Sequence, residues 1–333
     1  MDPLACRRFA WLAALLLLVA HPARAGVDPI LVDDFESGDS CLWGVGPETC
    51  PGFAVTTPPL LVQPGEEAVF CYYFHAGNPA TQGIRRIVSS MESKTRYVSL
   101  FTTHDALGNP VDVQPPGTLS TAGCTWFGPN ENSRRIYTAH GLEEELLLPT
   151  DDGAGDPLAL EFLAGQPAVL VAHVLNDTVD PLTTAVNLTA FAHASGVVYT
   201  RTATLTTVDT FLTIPTGGVT VTTETCPVPS AVKFWWFSTH THGLAQQAAL
   251  RNGASDLVVS TNWLAPAVTA FGPPDFYEFD PGEPITYRCE FLNNSGQLVT
   301  FGESYLGNEN CTGLAYFFPA NAPRICINSL LLP

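Results

Sequence analysis

The feature that most constrains this chain is a succession of short β-branched and aromatic runs, each closed off by Gly, Pro or Asn. EAVFCYYF, TRYVSLFTT, PAVLVAHVL, AVNLTAFAH, GVTVTTETC, AVKFWWFSTH, PITYRCEFL and QLVTFGES follow one another from Leu60 onward. Side chains of this kind suit a pleated surface, and the punctuating residues suit the turns between strands. Apolar residues at three-and-four spacing never recur over a useful length. GLEEELLL offers at most one helical turn before Pro149 stops it. The reading is therefore all-β, built as two tandem jelly-roll domains, that is, antiparallel β-sandwiches. A chain of 333 residues exceeds a typical single core. The Thr-rich stretch 200–210, which precedes the second series of strands, is where the cut falls: a first sandwich over 59–203 and a second over 204–333.

The start of the chain reads as an export signal. Arg7 and Arg8 form a basic segment, Trp11 to Ala20 an apolar one, and Ala23-Arg24-Ala25 a small-residue cleavage site. Residues 1–25 are read as a signal peptide, cleaved near Ala25, and 26–58 as an acidic leader rich in Gly and Pro. The expected location is secreted, periplasmic or extracellular, with no membrane anchor, because no later apolar run is long enough to span a bilayer. Nine cysteines agree with an oxidising compartment, since removal of Cys6 leaves an even number for bridges. Asp33, Asp34, Glu36 and Asp39 crowd the leader, but their spacing matches no calcium-binding loop and reads as a solvated surface.

A formal charge of −18 excludes nucleic acid as a partner on electrostatic grounds. It says little else about function. No G-x-S-x-G, P-loop or Cys-His pair on a familiar scaffold is present. The pattern that carries chemistry is His240-Thr241-His242 at the end of AVKFWWF. On a strand, residues two apart share a face, so both imidazoles point the same way and can meet on one copper or zinc ion. The alternative is a pair of hydrogen-bonded histidines at a domain interface. In FWWF, alternation sends half of Phe234, Trp235, Trp236 and Phe237 into the core and half toward the facing domain.

Cys226 ahead of His240-Thr241-His242, then YRCEF with Cys289, VTFGES, and NENC with Cys311 occur in one order in the second half. GEEAVFCYYF, TRYVSLF, IYTAHG, LLLP and VLVAHVLND do the same in the first half. In that order these segments resemble the copper type II, ascorbate-dependent monooxygenases, the family of peptidylglycine α-hydroxylating monooxygenase and dopamine β-monooxygenase. The likeness covers roughly residues 60–330. It implies a copper oxidoreductase with ascorbate as reductant, a substrate that the sequence does not identify, and two copper sites in separate domains. His240 and His242 match the two histidines of the oxygen-binding copper, and Asn310 stands where the family has a methionine. For the electron-transfer copper, His173 matches one histidine, while the adjacent pair falls on Arg96 and Tyr97. The arginine and tyrosine that hold a peptide carboxylate in the family fall on Ser238 and Leu314. The resemblance thus implies one copper at His240, His242 and Asn310, with the second site lost and ascorbate-driven hydroxylation lost with it. The alternative is a non-catalytic secreted binding or structural protein on the same scaffold. His75, His104 and His140 could supply replacement ligands. By the same resemblance Cys289 pairs with Cys311 and Cys226 with Cys326, tying the histidine strand to the last strand. Cys71 with Cys124 and Cys41 with Cys50 are left by elimination.

Overall fold

The structure is a computed structural model that describes residues 52–332, all of whose regular elements are strands. The expected signal peptide, the expected leader up to residue 51 with its acidic cluster, and the expected Cys41–Cys50 pairing lie outside the described residues. No described helix is long and apolar enough to cross a membrane.

Two largely antiparallel β-sandwiches hold most strands of the described residues. In the first, a six-stranded sheet centred on Gln82–Met91 and Val186–Ala192 packs on a five-stranded sheet centred on Pro167–Leu175. In the second, a six-stranded sheet centred on Thr312–Phe318 and Ala203–Val208 packs on a four-stranded sheet, Gly218–Pro227, Pro284–Asn293, Ala245–Asn252 and Ser255–Ser260. Strands up to Thr200–Arg201 pair among themselves, and those from Ala203–Val208 onward do likewise. Two local readings change. The leader expected over 26–58 ends in a strand: Gly52–Thr56 pairs with Val186–Ala192 and buries Phe53 and Val55. The segment read as a helical turn contains the strand Glu143–Leu147 on Gln82–Met91, because sheet pairing and the burial of Leu146 outweigh the helix propensity of Glu and Leu.

Three disulfides join described cysteines: Cys71–Cys124, Cys226–Cys326 and Cys289–Cys311, with Cα atoms 5.7, 6.1 and 5.9 Å apart. Cys226 does not tie the histidine strand. It lies on Gly218–Pro227 in the four-stranded sheet and reaches Cys326 in the six-stranded one, so the bridge staples the two sheets of the second sandwich.

Strand alternation explains how the sandwiches meet. In Lys233–His240, Phe234 and Phe237 join the second core while Trp235 packs with the core of the first, a bulge between Phe234 and Trp236 resetting the register. In the adjacent Thr312–Phe318, Ala315 and Phe317 face the second core, whereas Tyr316 and Phe318 pack with the first. Across the seam, Pro167–Leu175 is buried on both faces: Leu170 and Val174 join the first core, and Val169 and Val171 the seam. Trp235 Nε1 donates to Thr202 Oγ1 at 2.8 Å and Tyr316 Oη to the Ile136 carbonyl at 2.9 Å, so the polar ends of these rings are satisfied at the same seam.

Candidate functional site at the seam between the sandwiches

His240 closes the strand Lys233–His240 opposite Thr312. Continued two residues further, this register sets Asn310 across from His242. Both imidazoles are buried, with ring centroids 5.4 Å apart and nearly perpendicular. His242 Nδ1 lies 3.1 Å from the Asn308 carbonyl and donates to it, which leaves Nε2 as the lone-pair nitrogen. His240 is held differently, for its Nδ1 shares a hydrogen with His140 Nε2 at 2.8 Å. Of the three replacement histidines, His140 is thus brought to the pair. His75 pairs with Asp112 on the surface at 2.8 Å, and His104 is engaged by the Gly108 carbonyl and Thr102. Asn310 directs its amide oxygen to the Thr312 hydroxyl, which donates at 2.5 Å.

His173 lies on the first sandwich opposite Tyr97. Its Nε2 is 3.5 Å from Glu67 Oε2, at the limit of a hydrogen bond, and its Nδ1 has no partner among the described residues. The position beside it, where the family has two histidines, is occupied otherwise: Arg96 pairs with Asp177 at 3.3 Å, and the Tyr97 ring stands edge-on between His173 at 5.5 Å and His240 at 5.7 Å. Ser238 donates to the Ala267 carbonyl and Leu314 is packed into the seam, so neither of these positions offers a group for a carboxylate.

Sequence reading did not find the residues that complete this region. Trp126 stacks on His240 at 3.9 Å, and the guanidinium carbon of Arg135 lies 4.0 Å from the centroid of the same indole. Tyr305 fills the space between His242 at 3.9 Å and His173 at 4.7 Å. The loop carrying Tyr305 is fastened to the first sandwich twice, by Trp126 N–H donating to Glu303 at 2.8 Å and by Tyr305 N–H donating to Glu67 at 3.1 Å. Glu309, buried beneath His242, accepts the backbone N–H groups of His242, Leu244 and Asn310 and so fixes the turn that presents the imidazole. VTFGES already contained Glu303, but no spacing in the sequence pointed to Trp126 or Arg135.

Electrostatics follow from burial. Desolvation, followed by the Arg135 charge, pushes His140 down to about 3. Burial takes His242 down to about 4 and holds His240 well below the usual imidazole range, so all three are neutral at pH 7. Arg135 is pushed down by burial to about 10 and keeps its charge. Its guanidinium donates to Ser99, Thr138 and the Trp126 carbonyl, and no carboxylate among the described residues is in ion-pair contact with it. Copper at this place would meet two imidazoles whose third protein donor is committed to Thr312, together with a fixed cation one indole away. Among the described residues no three His, Cys, Asp or Glu side chains are gathered to hold one ion.

No protein-family model matches this sequence, and no curated protein matches it. Among solved structures, the chain is similar to the major capsid protein P2 of bacteriophage PM2 at 10% identity and a TM-score of 0.33, over 81% of this chain and 99% of that one. It is also similar to the STIV MCP at 8% identity and a TM-score of 0.32, over 80% and 96% of the two chains.

Proposed function

We propose that this is a secreted, non-catalytic binding or structural protein on a two-jelly-roll scaffold, in which the histidines of the seam serve packing instead of redox chemistry. The observation that carries this reading is the filling of the seam by the chain's own rings. Trp126 of the first sandwich covers His240 of the second, and Tyr305 of the second covers His173 of the first. A catalytic copper needs an open position and a cleft for substrate beside it. Here Tyr97, Trp126 and Tyr305 take that volume. The second site implied by the resemblance retains His173 alone, and a charged guanidinium at Arg96 has no lone pair to give. Three disulfides support an oxidising compartment and hence export.

One observation favours a second reading, a single copper held by His240 and His242. The hydrogen bond from His242 Nδ1 to the Asn308 carbonyl orients Nε2 as a ligand would need, in the manner of the outer partners of metal-bound histidines. Copper loading of the purified protein decides between the two. The expected result is substoichiometric copper, equal in the native chain and in His240→Ala. One tightly held ion per chain, lost in His240→Ala and in His242→Ala, would replace the first reading with the second.

A further inference from the structure

Beyond the histidines the seam opens into a cavity of about 380 Å³, within the range of about 300–1,000 Å³ that small-molecule sites occupy. Thr204 and Thr206 line it from the strand Ala203–Val208, Arg134 and Arg135 from the first sandwich, and Arg324 with Ile325 from the strand Arg324–Ile327. Its charge is unusual for this molecule. The chain has 32 acidic residues against 14 basic ones, so a cation ordinarily finds a carboxylate. Arg86, Arg96, Arg201, Arg251 and Arg288 all do, as do Lys94 and Lys233. Arg85 is engaged as well. Of the described arginines, that leaves Arg134, Arg135 and Arg324 without a carboxylate in ion-pair contact, and all three line this one cavity.

Their roles divide. Arg135 has its guanidinium committed to Ser99, Thr138 and Trp126 and contributes charge from behind the wall. The side chains of Arg134 and Arg324 form no hydrogen bond with any described residue and are half-buried, so their forked donors are free. The two carboxylates at the rim do not neutralise them: Glu131 is exposed, and Asp105 turns its oxygens to the N–H groups of Leu107 and Asn109 and to the Asn109 amide. Thr206, only 3% exposed, adds a hydroxyl. Phe127 and Ile325 add apolar wall.

We infer that this cavity binds a small organic anion, its oxyanion head held by Arg134 and Arg324 and its apolar body against Phe127 and Ile325. A guanidinium matches both carboxylate and phosphate heads through paired N–H donors, and the apolar wall distinguishes such a ligand from a bare inorganic ion. The inference goes beyond the reading of the histidines and does not depend on it. Calorimetric titration of the full chain at low ionic strength with phenyl phosphate, benzoate and benzyl alcohol tests it. Saturable one-to-one binding of phenyl phosphate or benzoate is expected, with the stronger of the two arms identifying the head group, and no binding of benzyl alcohol. Arg134→Gln and Arg324→Gln should each weaken binding by roughly tenfold or more, as loss of a charge-assisted pair does, while Arg251→Gln, ion-paired on a remote hairpin, leaves it unchanged. The inference is overturned if neither anion binds saturably, if benzyl alcohol binds as well as the anions, or if the Arg134→Gln, Arg324→Gln double variant binds like the native chain.

Discussion

One seam between two sandwiches has two halves of opposite character. In the histidine half, rings from both sandwiches meet at stacking distance, and burial keeps His140, His240 and His242 neutral. In the arginine half, residues of both sandwiches line a cavity, and the side chains of Arg134 and Arg324 have no partner among the described residues. The strand Ala203–Val208 runs along the boundary, with the Thr204 hydroxyl donating to the Arg135 carbonyl at 2.9 Å. Arg135 itself joins the halves, its side chain over Trp126 and its residue in the cavity wall. The lesson is that the position of recognisable metal-site histidines does not mark the place with room for a ligand. Packed rings leave no volume, and unpaired cations beside a cavity leave a need for charge.

The largest break in this comparison comes from removing its central ring. Trp126→Ala should destabilise by about 3 kcal/mol or more, as expected for a buried aromatic whose neighbours cannot collapse. The same change at Phe127, the adjacent residue on the open half, should cost less than half as much, because part of that ring already faces the cavity. Chemical denaturation of both variants measures the contrast. Equal losses would mean that the two halves are packed alike. Some of the Trp126 loss is offset in advance, since its Nε1 is buried with no hydrogen-bond partner among the described residues.

Much of the scaffold is legible in the sequence, and for a physical reason: strand alternation is local. The eight apolar runs all contain strands, and FWWF does divide between a core and the facing sandwich, although a bulge resets the alternation so that Phe234 and Phe237 share one side. His240 and His242 do lie side by side, although the strand ends at His240 and His242 is set by the turn that Glu309 holds. What alternation cannot supply is the residue brought in from a loop far away in the chain. Trp126 meets His240 across 114 positions of the chain, and Tyr305 reaches His173 from the opposite sandwich. The arginine cavity is equally silent in sequence. Arg134 and Arg324 look like any surface cations until the fold shows that, among the described residues, their side chains are engaged by neither a carboxylate nor a hydrogen-bond acceptor.

A smaller effect sharpens the open half. Replacing both free arginines, Arg134→Gln with Arg324→Gln, should change stability by no more than about 0.5 kcal/mol, the range of substitutions that break no buried contact. Any change should be toward greater stability at low salt, because two like charges around one cavity repel each other, and it should fade as salt screens them. A loss well beyond that range in the same denaturation experiment would mean that the arginines are structural, and the contrast between a packed half and an open half would fail.

The smallest effect is electrostatic and is read at one imidazole. His104 lies in the cavity wall, and its pKa is lowered first by burial and then by the charge of Arg134. A depressed folded-state value means that the unfolded chain binds the proton first as pH falls. His104 therefore contributes stability that is present above its unfolded pKa, near 6.5, and is lost as pH drops toward the folded value. Removing the neighbouring charge takes away part of the cause, so Arg134→Gln should raise the His104 pKa and lessen that share of the acid loss. Burial remains, so the value should stay below that of a free imidazole. Occupancy of the cavity by an anion should shift His104 in the same direction in the native chain, since the bound charge offsets Arg134, and should have no such effect in the Arg134→Gln, Arg324→Gln double variant. An NMR titration of the His104 ring, with and without phenyl phosphate, follows both changes. A His104 pKa that moves neither with the arginine nor with the anion would place the charge of Arg134 away from the cavity, and with it the head group this half of the seam is argued to hold.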